Sequence, residues 1–289
     1  MLNLVKLLRV HQWVKNLLLF IPALTAHRLN DPWILKQSVL AFMSFSFVAS
    51  SVYILNDWWD LSHDKLHPRK KNRPLASGRI TVQQALGILP VILGLGMGLG
   101  FVVGISFLKV LLVYLLLTSA YSFFLKRILL LDVLSLAGLY TVRIFAGSVA
   151  TDILVSKWLL AFSLFIFMSL AFVKRFAELK AAPPKEGSVL PGRGYQSIDL
   201  ETLRNLGASS GYLSVLVFAL YINSSEVTQF YKNPQLLWFT CPMILYWISR
   251  VWVIAGRGHL QDDPVVFALT DRASYFVFAS TVLVLWMAT

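Results

Sequence analysis

Apolar stretches long enough to cross a lipid bilayer follow one another along almost the whole chain. A membrane-spanning helix needs about 20 predominantly apolar residues, and such runs recur from residue 16 to residue 289 between short polar breaks. Hydrophobic residues make up 57% of the chain and charged residues only 14%, against roughly 25% in soluble domains. We therefore predict an all-α polytopic membrane protein with a single transmembrane domain over residues 1–289.

The apolar runs predict nine transmembrane helices. Residues 1–15 precede the first of them, as a short amphipathic helix on the inner leaflet or as an ordinary polar lead-in. This segment and the run after it lack the small-residue cleavage site of a removable signal peptide, so we expect the first helix to be retained. The nine predicted spans are 16–30, 37–55, 81–104, 107–125, 129–150, 156–173, 206–223, 235–253 and 272–288.

The net charge of +12 is explained by membrane orientation and does not require nucleic acid. With the N-terminus in the cytoplasm, 20 of the 26 Lys and Arg residues fall in cytoplasmic segments and five on the other side, while Arg143 lies within a span. Cytoplasmic loops carry this excess of positive charge. We therefore expect that the long loops, 56–80, 174–205 and 254–271, face the cytoplasm. The single cysteine, Cys241, excludes an intrachain disulfide.

Three aspartates follow the second predicted span at helical spacing. If the helix continues, Asp57, Asp60 and Asp64 lie within about 60° of arc on one face. Such carboxylates repel one another unless a cation lies between them, and Mg²⁺ is held by a few carboxylates together with substrate phosphate oxygens. The basic run His67-Pro68-Arg69-Lys70-Lys71-Asn72-Arg73-Pro74 follows directly, and Lys and Arg bind phosphate oxygens. The pattern predicts a site for a phosphorylated substrate with Mg²⁺.

The run Asn56-Asp57-x-x-Asp60-x-x-x-Asp64 resembles the first aspartate-rich motif of the UbiA superfamily of intramembrane prenyltransferases, which have nine transmembrane helices. Within this superfamily, the chain looks most like the decaprenyl-phosphate phosphoribosyltransferase branch, which transfers 5-phosphoribose from phosphoribosyl diphosphate to a polyprenyl phosphate. The further runs that carry this resemblance are Gln12-Trp13-Val14-Lys15-Asn16, His67-Pro68 with Lys70 and Arg73-Pro74, Tyr121 with Leu125-Lys126, Lys174-Arg175-x-x-Glu178-Leu179, and Asp263-Pro264 with Ala268-Leu269 and Asp271-Arg272.

One loop departs from the usual prenyltransferase pattern. Typical members have a second acidic motif after the sixth helix, where a second Mg²⁺ helps to hold a prenyl diphosphate. Here that loop begins with Lys174, Arg175 and Glu178, so a single acid stands beside two cations. This composition favours a sugar or lipid phosphate over a second metal ion.

The resemblance implies a Mg²⁺-dependent phosphoribosyl transfer to a decaprenyl-type phosphate, with release of diphosphate, for the synthesis of cell-envelope pentose precursors. Asp57, Asp60 and Asp64 would hold the metal, and Asn56 would orient the site. The predicted substrate ligands are His67, Lys70 and Arg73 for the diphosphate, Tyr121 and Lys126 for the donor, Lys15 and Asn16 for the acceptor phosphate or cavity wall, and Lys174, Arg175 and Arg143 for a substrate phosphate.

Several alternatives remain open at this point. Arg143 could instead form a buried pair with Asp132, and Glu178 is either a metal or ribose ligand or part of a salt bridge. Asp262 and Asp263 would cap a helix that begins at Pro264. A quinone-type prenyltransferase and a transporter without chemistry are the competing functions, and the sequence does not reveal whether the chain forms a homo-oligomer.

Overall fold

The computed structural model describes residues 2–66, 70–181, 183–184, 188–190, 192–260, 264–268 and 271–289. Within these residues all regular secondary structure is helical, which confirms the all-α part of the prediction. The chain divides into two compact units, unit 1 with residues 1–123 and 142–154, and unit 2 with residues 124–141 and 155–289. His67, Asp262 and Asp263 lie outside the described residues.

Unit 1 begins with short helical pieces and continues with long ones. The Asp31 side chain accepts the backbone N–H groups of Trp33 and Ile34, and so caps the longest helix at its proline start. The elements are α1 (Leu2–Leu7), a 3-10 helix (Val10–Phe20), α2 (Ile21–Thr25), α3 (Pro32–Trp59), α4 (Leu61–Leu66), a 3-10 turn (Lys70–Asn72), α5 (Val82–Val103), α6 (Ile105–Phe123) and the second half of α7 (Leu131–Thr151).

Helix α3 is central to unit 1 and packs along α5. The two backbones approach closely because Gly96 has no side chain: a Cβ there would lie 2.8 Å from a methyl carbon of Val48. Ser44 donates a 2.7 Å hydrogen bond to the Gly96 carbonyl across the same contact. Small residues allow this close packing between membrane helices, which places the serine-rich face of α3 in the interior of the unit.

Unit 2 contains the first half of α7 and the C-terminal helices. Helix α8 packs against α9, and α9 also contacts α10. Gly207 allows these contacts, since a Cβ at this position would overlap the side chains of Trp252 and Phe172. The elements are 3-10 turns at Leu125–Arg127, Ser197–Asp199, Val227–Gln229 and Pro234–Phe239, together with α8 (Lys157–Ala181), α9 (Leu200–Ile222), α10 (Thr240–Gly256), α11 (Pro264–Ala268) and α12 (Arg272–Ala288).

Seven helical segments in the described part of the chain are long and apolar enough to cross a membrane. They match predicted spans two to eight. The first predicted span, 16–30, lies instead in the 3-10 helix and the short α2, and the ninth forms a 17-residue helix. Large apolar side chains remain exposed on α5, α6 and α12, as expected for an integral membrane protein; examples are Phe101, Leu116, Phe276 and Trp286.

Candidate active site

The aspartate motif lies where α3 ends and α4 begins. The backbone N–H of Asp60 bonds to the Asn56 carbonyl, and that of Asp64 bonds to the Asp60 carbonyl, both at 2.9 Å. Helical hydrogen bonding therefore continues across the break, and Asp57 and Asp64 come to the same side. Arg73 Nη1 contacts both carboxylates, at 3.1 Å from Asp57 Oδ1 and in a short contact with Asp64 Oδ2.

Asp57 and Asp64 together form a donor set suited to a divalent cation. Both are almost fully buried, and they already share one positive group. Mg²⁺ is commonly bound through one or two carboxylates plus substrate phosphates, so this pair fits the metal that the sequence predicts. Asp60 is half-buried beside them, but among the described residues no three acidic, histidine or cysteine side chains form a metal-holding group.

A second arginine, which the sequence analysis did not select, completes this cluster. Arg9 contacts Asp57 Oδ1 through Nη2, and its guanidinium lies 5.0 Å from the ring centre of Tyr53. Asn56, next to these charges, donates a 3.0 Å hydrogen bond to Ser122 of α6. We call Arg9, Asp57, Asp64 and Arg73 the carboxylate–arginine cluster.

Arg9 reaches Asp57 because the segment after α1 runs along one face of α3. Residues 46, 50, 53 and 57 are spaced by four, three and four positions, which places them on one helical face. Each contacts this segment, three of them through a polar or charged group and Tyr53 through its ring. From one end to the other the contacts are Asn16 with Ser46 at 3.0 Å, Trp13 with Ser50 at 3.0 Å, and Arg9 with Tyr53 and Asp57.

The charge within the seventh helix is buried in unit 1. Arg143 donates to the Asn16 amide oxygen and to the Tyr114 hydroxyl, both at 2.9 Å, and its guanidinium lies over the Tyr114 ring at 4.9 Å. These two partners are neutral, so they satisfy donors without cancelling the charge. Lys15 is buried next to Asn16 in the sequence. A buried cationic site of this kind suits an anionic headgroup.

Unit 2 contains a different charged network. Asp132, at the start of α7, contacts Arg175 Nε through one carboxylate oxygen and accepts a 2.6 Å hydrogen bond from the Tyr195 hydroxyl through the other. Arg175 also contacts Glu178, and Arg193 lies 3.6 Å from the same glutamate. Glu178 is thus part of salt bridges, one of the two alternatives that the sequence allowed. We call these five residues the Asp132 network.

The Asp132 network fixes the loop that precedes α9. Burial and the hydrogen bond to Asp132 raise the pKa of the Tyr195 hydroxyl above its ordinary value, so it stays protonated and donates. Arg193 donates to the Lys126 carbonyl at 3.3 Å. Gly194 lies so close to the 3-10 turn at Leu125–Arg127 that a Cβ would approach the Arg127 carbonyl to 3.1 Å. The described part of this proline- and glycine-rich loop is therefore held in place.

The remaining predicted ligands lie at the ends of helices. Lys70 is exposed on the 3-10 turn after α4, and Tyr121 is half-buried near the end of α6. Lys126 lies on the turn before α7, and Lys174 lies on α8 next to Arg175. Asp271 has a structural role, because it caps α12 through Ser274 and binds Arg250.

Comparison with known proteins identifies the family. Residues 17–270 match the UbiA prenyltransferase family. Nodulation protein NoeC from Azorhizobium caulinodans is 36% identical over 92% of this chain and 86% of its own length. An uncharacterized protein from Sinorhizobium fredii, y4nM, is 37% identical over 94% of this chain, which spans only 53% of that protein's length.

Two further similarities cover nearly all of the chain. Decaprenyl-phosphate phosphoribosyltransferase from Corynebacterium glutamicum is 34% identical over 99% of this chain and 86% of its own length. A UbiA homolog from Archaeoglobus fulgidus, solved with GPP and Mg²⁺, superimposes with a TM-score of 0.74 and covers 99% of both chains; at 16% identity it shows the shared fold alone. The profile match and the full-length relatives show that this protein belongs to the UbiA prenyltransferase family.

Proposed function

We propose that this protein transfers 5-phosphoribose from phosphoribosyl diphosphate to a decaprenyl-type polyprenyl phosphate and releases diphosphate. The observation that carries the proposal is the carboxylate–arginine cluster, where two buried aspartates alternate with two arginines. Carboxylates suit a divalent cation and guanidinium groups suit phosphate oxygens, so the cluster suits a metal–diphosphate complex. The full-length similarity to decaprenyl-phosphate phosphoribosyltransferases supports phosphoribose as the transferred group.

Asp57 and Asp64 would hold Mg²⁺, with Asp60 and Asn56 beside them. When bound, the metal supplies positive charge that stabilises the leaving diphosphate. Arg73, Lys70 and His67 bind the remaining diphosphate oxygens. The hydrogen bond from the Asn56 side chain to Ser122 fixes the orientation of the Asn56 amide.

The acceptor needs positioning more than activation. A phosphate monoester has its second pKa near 6 and is largely dianionic at neutral pH, so no general base is required to deprotonate it. Arg143, Asn16 and Lys15 bind the lipid phosphate, since Arg143 is buried and two of its partners are neutral. Holding two anionic substrates in reactive geometry then supplies much of the rate acceleration.

The further substrate ligands that the resemblance implies are Lys126 and Tyr121 for the sugar donor and Lys174 for a substrate phosphate. Arg175 is enclosed by Asp132 and Glu178, and it therefore contributes by holding Glu178 and the end of α8 in position. Glu178 accepts a hydrogen bond from a ribose hydroxyl.

The membrane arrangement is part of the proposal. We propose nine membrane helices, in which the segment from Val10 to Thr25 and the 17-residue α12 accompany the seven long spans. The excess of Lys and Arg on one side orients the N-terminus and the site residues towards the cytoplasm of a bacterium. The product enters the synthesis of cell-envelope pentose precursors.

A quinone-type prenyltransferase is the main competing function. It requires a second acidic site that holds a metal for a prenyl diphosphate. In the described part of 174–205, Glu178 is bound by two arginines, Asp199 accepts from the Gln196 backbone, and Glu201 pairs with Arg204. This arrangement favours phosphoribosyl transfer, because these three acids lie in three separate contacts, whereas Asp57 and Asp64 meet at one arginine.

The test uses purified protein with polyprenyl phosphate, Mg²⁺ and radiolabelled phosphoribosyl diphosphate. We expect label in the organic phase, dependent on Mg²⁺ and lost in Asp57→Ala. Asp31→Asn is the matched control, because it changes an exposed acid of an Arg–Asp pair and keeps a helix-capping side chain. Transfer from a polyprenyl diphosphate to an aromatic acid, with none from phosphoribosyl diphosphate, would contradict the proposal.

A further inference from the structure

Arg9 has a backbone conformation that is unusual for its residue type. It lies between α1 and the 3-10 helix at φ 50° and ψ 47°, in the left-handed region. Residues other than Gly, Asn and Asp rarely adopt this backbone conformation, because their Cβ crowds the backbone. The conformation directs the Arg9 side chain to Asp57 and over the Tyr53 ring. Its contacts thus hold a backbone geometry that glycine would adopt more easily.

Both arginines of the carboxylate–arginine cluster use only one of their three guanidinium nitrogens in the contacts with the aspartates. Arg9 contacts Asp57 through Nη2 alone, and Arg73 uses only Nη1 for both carboxylates. Within the described residues, the other two nitrogens of each guanidinium have no hydrogen-bond partner, and both side chains are partly exposed. Guanidinium groups bind phosphate oxygens through two parallel N–H donors. The pair therefore presents an unused anion-binding surface.

The charges of the cluster balance before any ligand binds. Asp57 and Asp64 contribute two negative charges, and Arg9 and Arg73 contribute two positive ones. A divalent cation added by itself would leave an excess of two positive charges and would compete with Arg9 for the same Asp57 oxygen. A diphosphate supplies the negative charge that accommodates both the cation and the arginines.

We infer that Arg9 is a diphosphate-binding residue that serves as the counter-ion of Asp57 while the site is empty. When diphosphate binds, the Arg9 guanidinium would turn to it, and Asp57 would then be available to hold a divalent cation. This inference rests on the proposed function for the role of the cluster, but it concerns only the diphosphate group. It gives Arg9 two opposite effects: it weakens binding of a cation alone and strengthens binding of the cation with diphosphate.

The experiment measures these two effects separately on the full-length protein in detergent. Binding of Mn²⁺ alone is followed by the electron paramagnetic resonance signal of the free ion, and binding of pyrophosphate at saturating Mg²⁺ is followed by calorimetry. Arg9→Gln removes the charge. Arg9→Gly removes the whole side chain and suits the positive φ, so it guards against a folding defect. Arg28→Gln, from the exposed pair with Asp31, is the control.

In both Arg9 variants we expect Mn²⁺ alone to bind about tenfold more tightly and Mg²⁺–pyrophosphate about tenfold more weakly, the size of one charge-assisted hydrogen bond. The control should change neither. Weaker binding of both ligands, or a change in neither, would overturn the role of Arg9. Turnover of phosphoribosyl diphosphate by the wild type is measured in parallel; its absence, with the opposite shifts intact, would contradict the proposed function and leave this inference standing.

Discussion

The carboxylate–arginine cluster and the Asp132 network both pair arginines with carboxylates, but they differ in how completely their charges are enclosed. In unit 1, the Arg9 and Arg73 side chains are 21% and 27% exposed, and each contacts the aspartates through a single guanidinium nitrogen. In unit 2, the Arg175 and Asp132 side chains are both 0% exposed, and Arg175 is bound by two carboxylates. The first arrangement can accept a ligand, whereas the second holds helices and a loop together.

This difference separates binding from stability. A fully buried ion pair loses a great deal when one partner is removed, since the other charge is left without compensation. When a carboxylate of the carboxylate–arginine cluster is replaced, little is lost, because the arginine that is left behind is partly exposed and water can hydrate it. Substitutions in unit 2 should therefore reduce folding stability, whereas equivalent substitutions in unit 1 should reduce activity.

The largest expected effect is on stability, in Asp132→Asn. This variant leaves the buried Arg175 with Glu178 as its remaining carboxylate, and it replaces the charged acceptor of the Tyr195 hydroxyl. Loss of one partner of a buried pair costs about 3–5 kcal/mol. We expect a strongly lowered unfolding midpoint in detergent, measured by intrinsic tryptophan fluorescence. A midpoint equal to that of the wild type would mean that the Asp132 network is not structural.

Asp64→Asn should reduce activity strongly and leave the unfolding midpoint nearly unchanged. The amide can still accept a hydrogen bond from Arg73, and one of two neighbouring negative charges is removed. We therefore expect an unfolding midpoint close to that of the wild type. Transfer activity should fall by about 100-fold or more, because metal stabilisation of the leaving group is worth several kcal/mol. If activity and midpoint fell together, the distinction between the two clusters would not hold.

The features that could be predicted from the sequence are those that depend on residues close together in the chain. Apolar composition identifies the long helices, and the seven-residue separation of Asp57 and Asp64 is enough to place them on one side of a continued helix. For the segment 16–30 it predicts an apolar helix but not the type of helix, since apolar composition looks the same in a 3-10 helix and in a transmembrane α-helix. Hydropathy measures composition over a window, and it does not report hydrogen-bond geometry.

Contacts between distant segments were not predictable in the same way. Arg9 pairs with Asp57 across 48 positions, and Asp132 pairs with Arg175 across 43. These pairs depend on which helices are neighbours and on their register, which a single sequence does not contain. A charge-matching argument could have suggested that the buried acids need cations, but it could not have selected Arg9 among 26 basic residues.

A smaller effect is expected where the Asp132 network meets the loop. Tyr195→Phe removes the hydroxyl that donates to Asp132 and accepts from the Leu130 backbone. A hydrogen bond to a charged group contributes about 1.5–3 kcal/mol, so the unfolding midpoint should fall by less than in Asp132→Asn. Limited proteolysis should also cleave the segment before Tyr195 faster. Tyr212→Phe, whose exposed hydroxyl contacts Ser249, should change neither measurement.

The smallest effect is expected at Asp271, whose ion pair with Arg250 is more exposed than the pairs of the carboxylate–arginine cluster, because the Asp271 side chain itself is 14% exposed. Partial burial opposes ionisation, but hydrogen bonds from Arg250 and Ser274 outweigh it and lower the pKa of the Asp271 carboxyl. A carboxyl whose pKa is lowered in the folded state stabilises the protein at pH values above its unfolded pKa of 3.8. This contribution disappears as the pH falls through the folded pKa.

Asp271→Asn keeps a capping side chain but loses the charge. The variant should therefore unfold at a slightly lower temperature than the wild type at pH 7, and the two midpoints should converge as the pH falls below about 4. A difference that is unchanged across this range would show that Asp271 stabilises the protein through the shape of its cap, without a contribution from its charge.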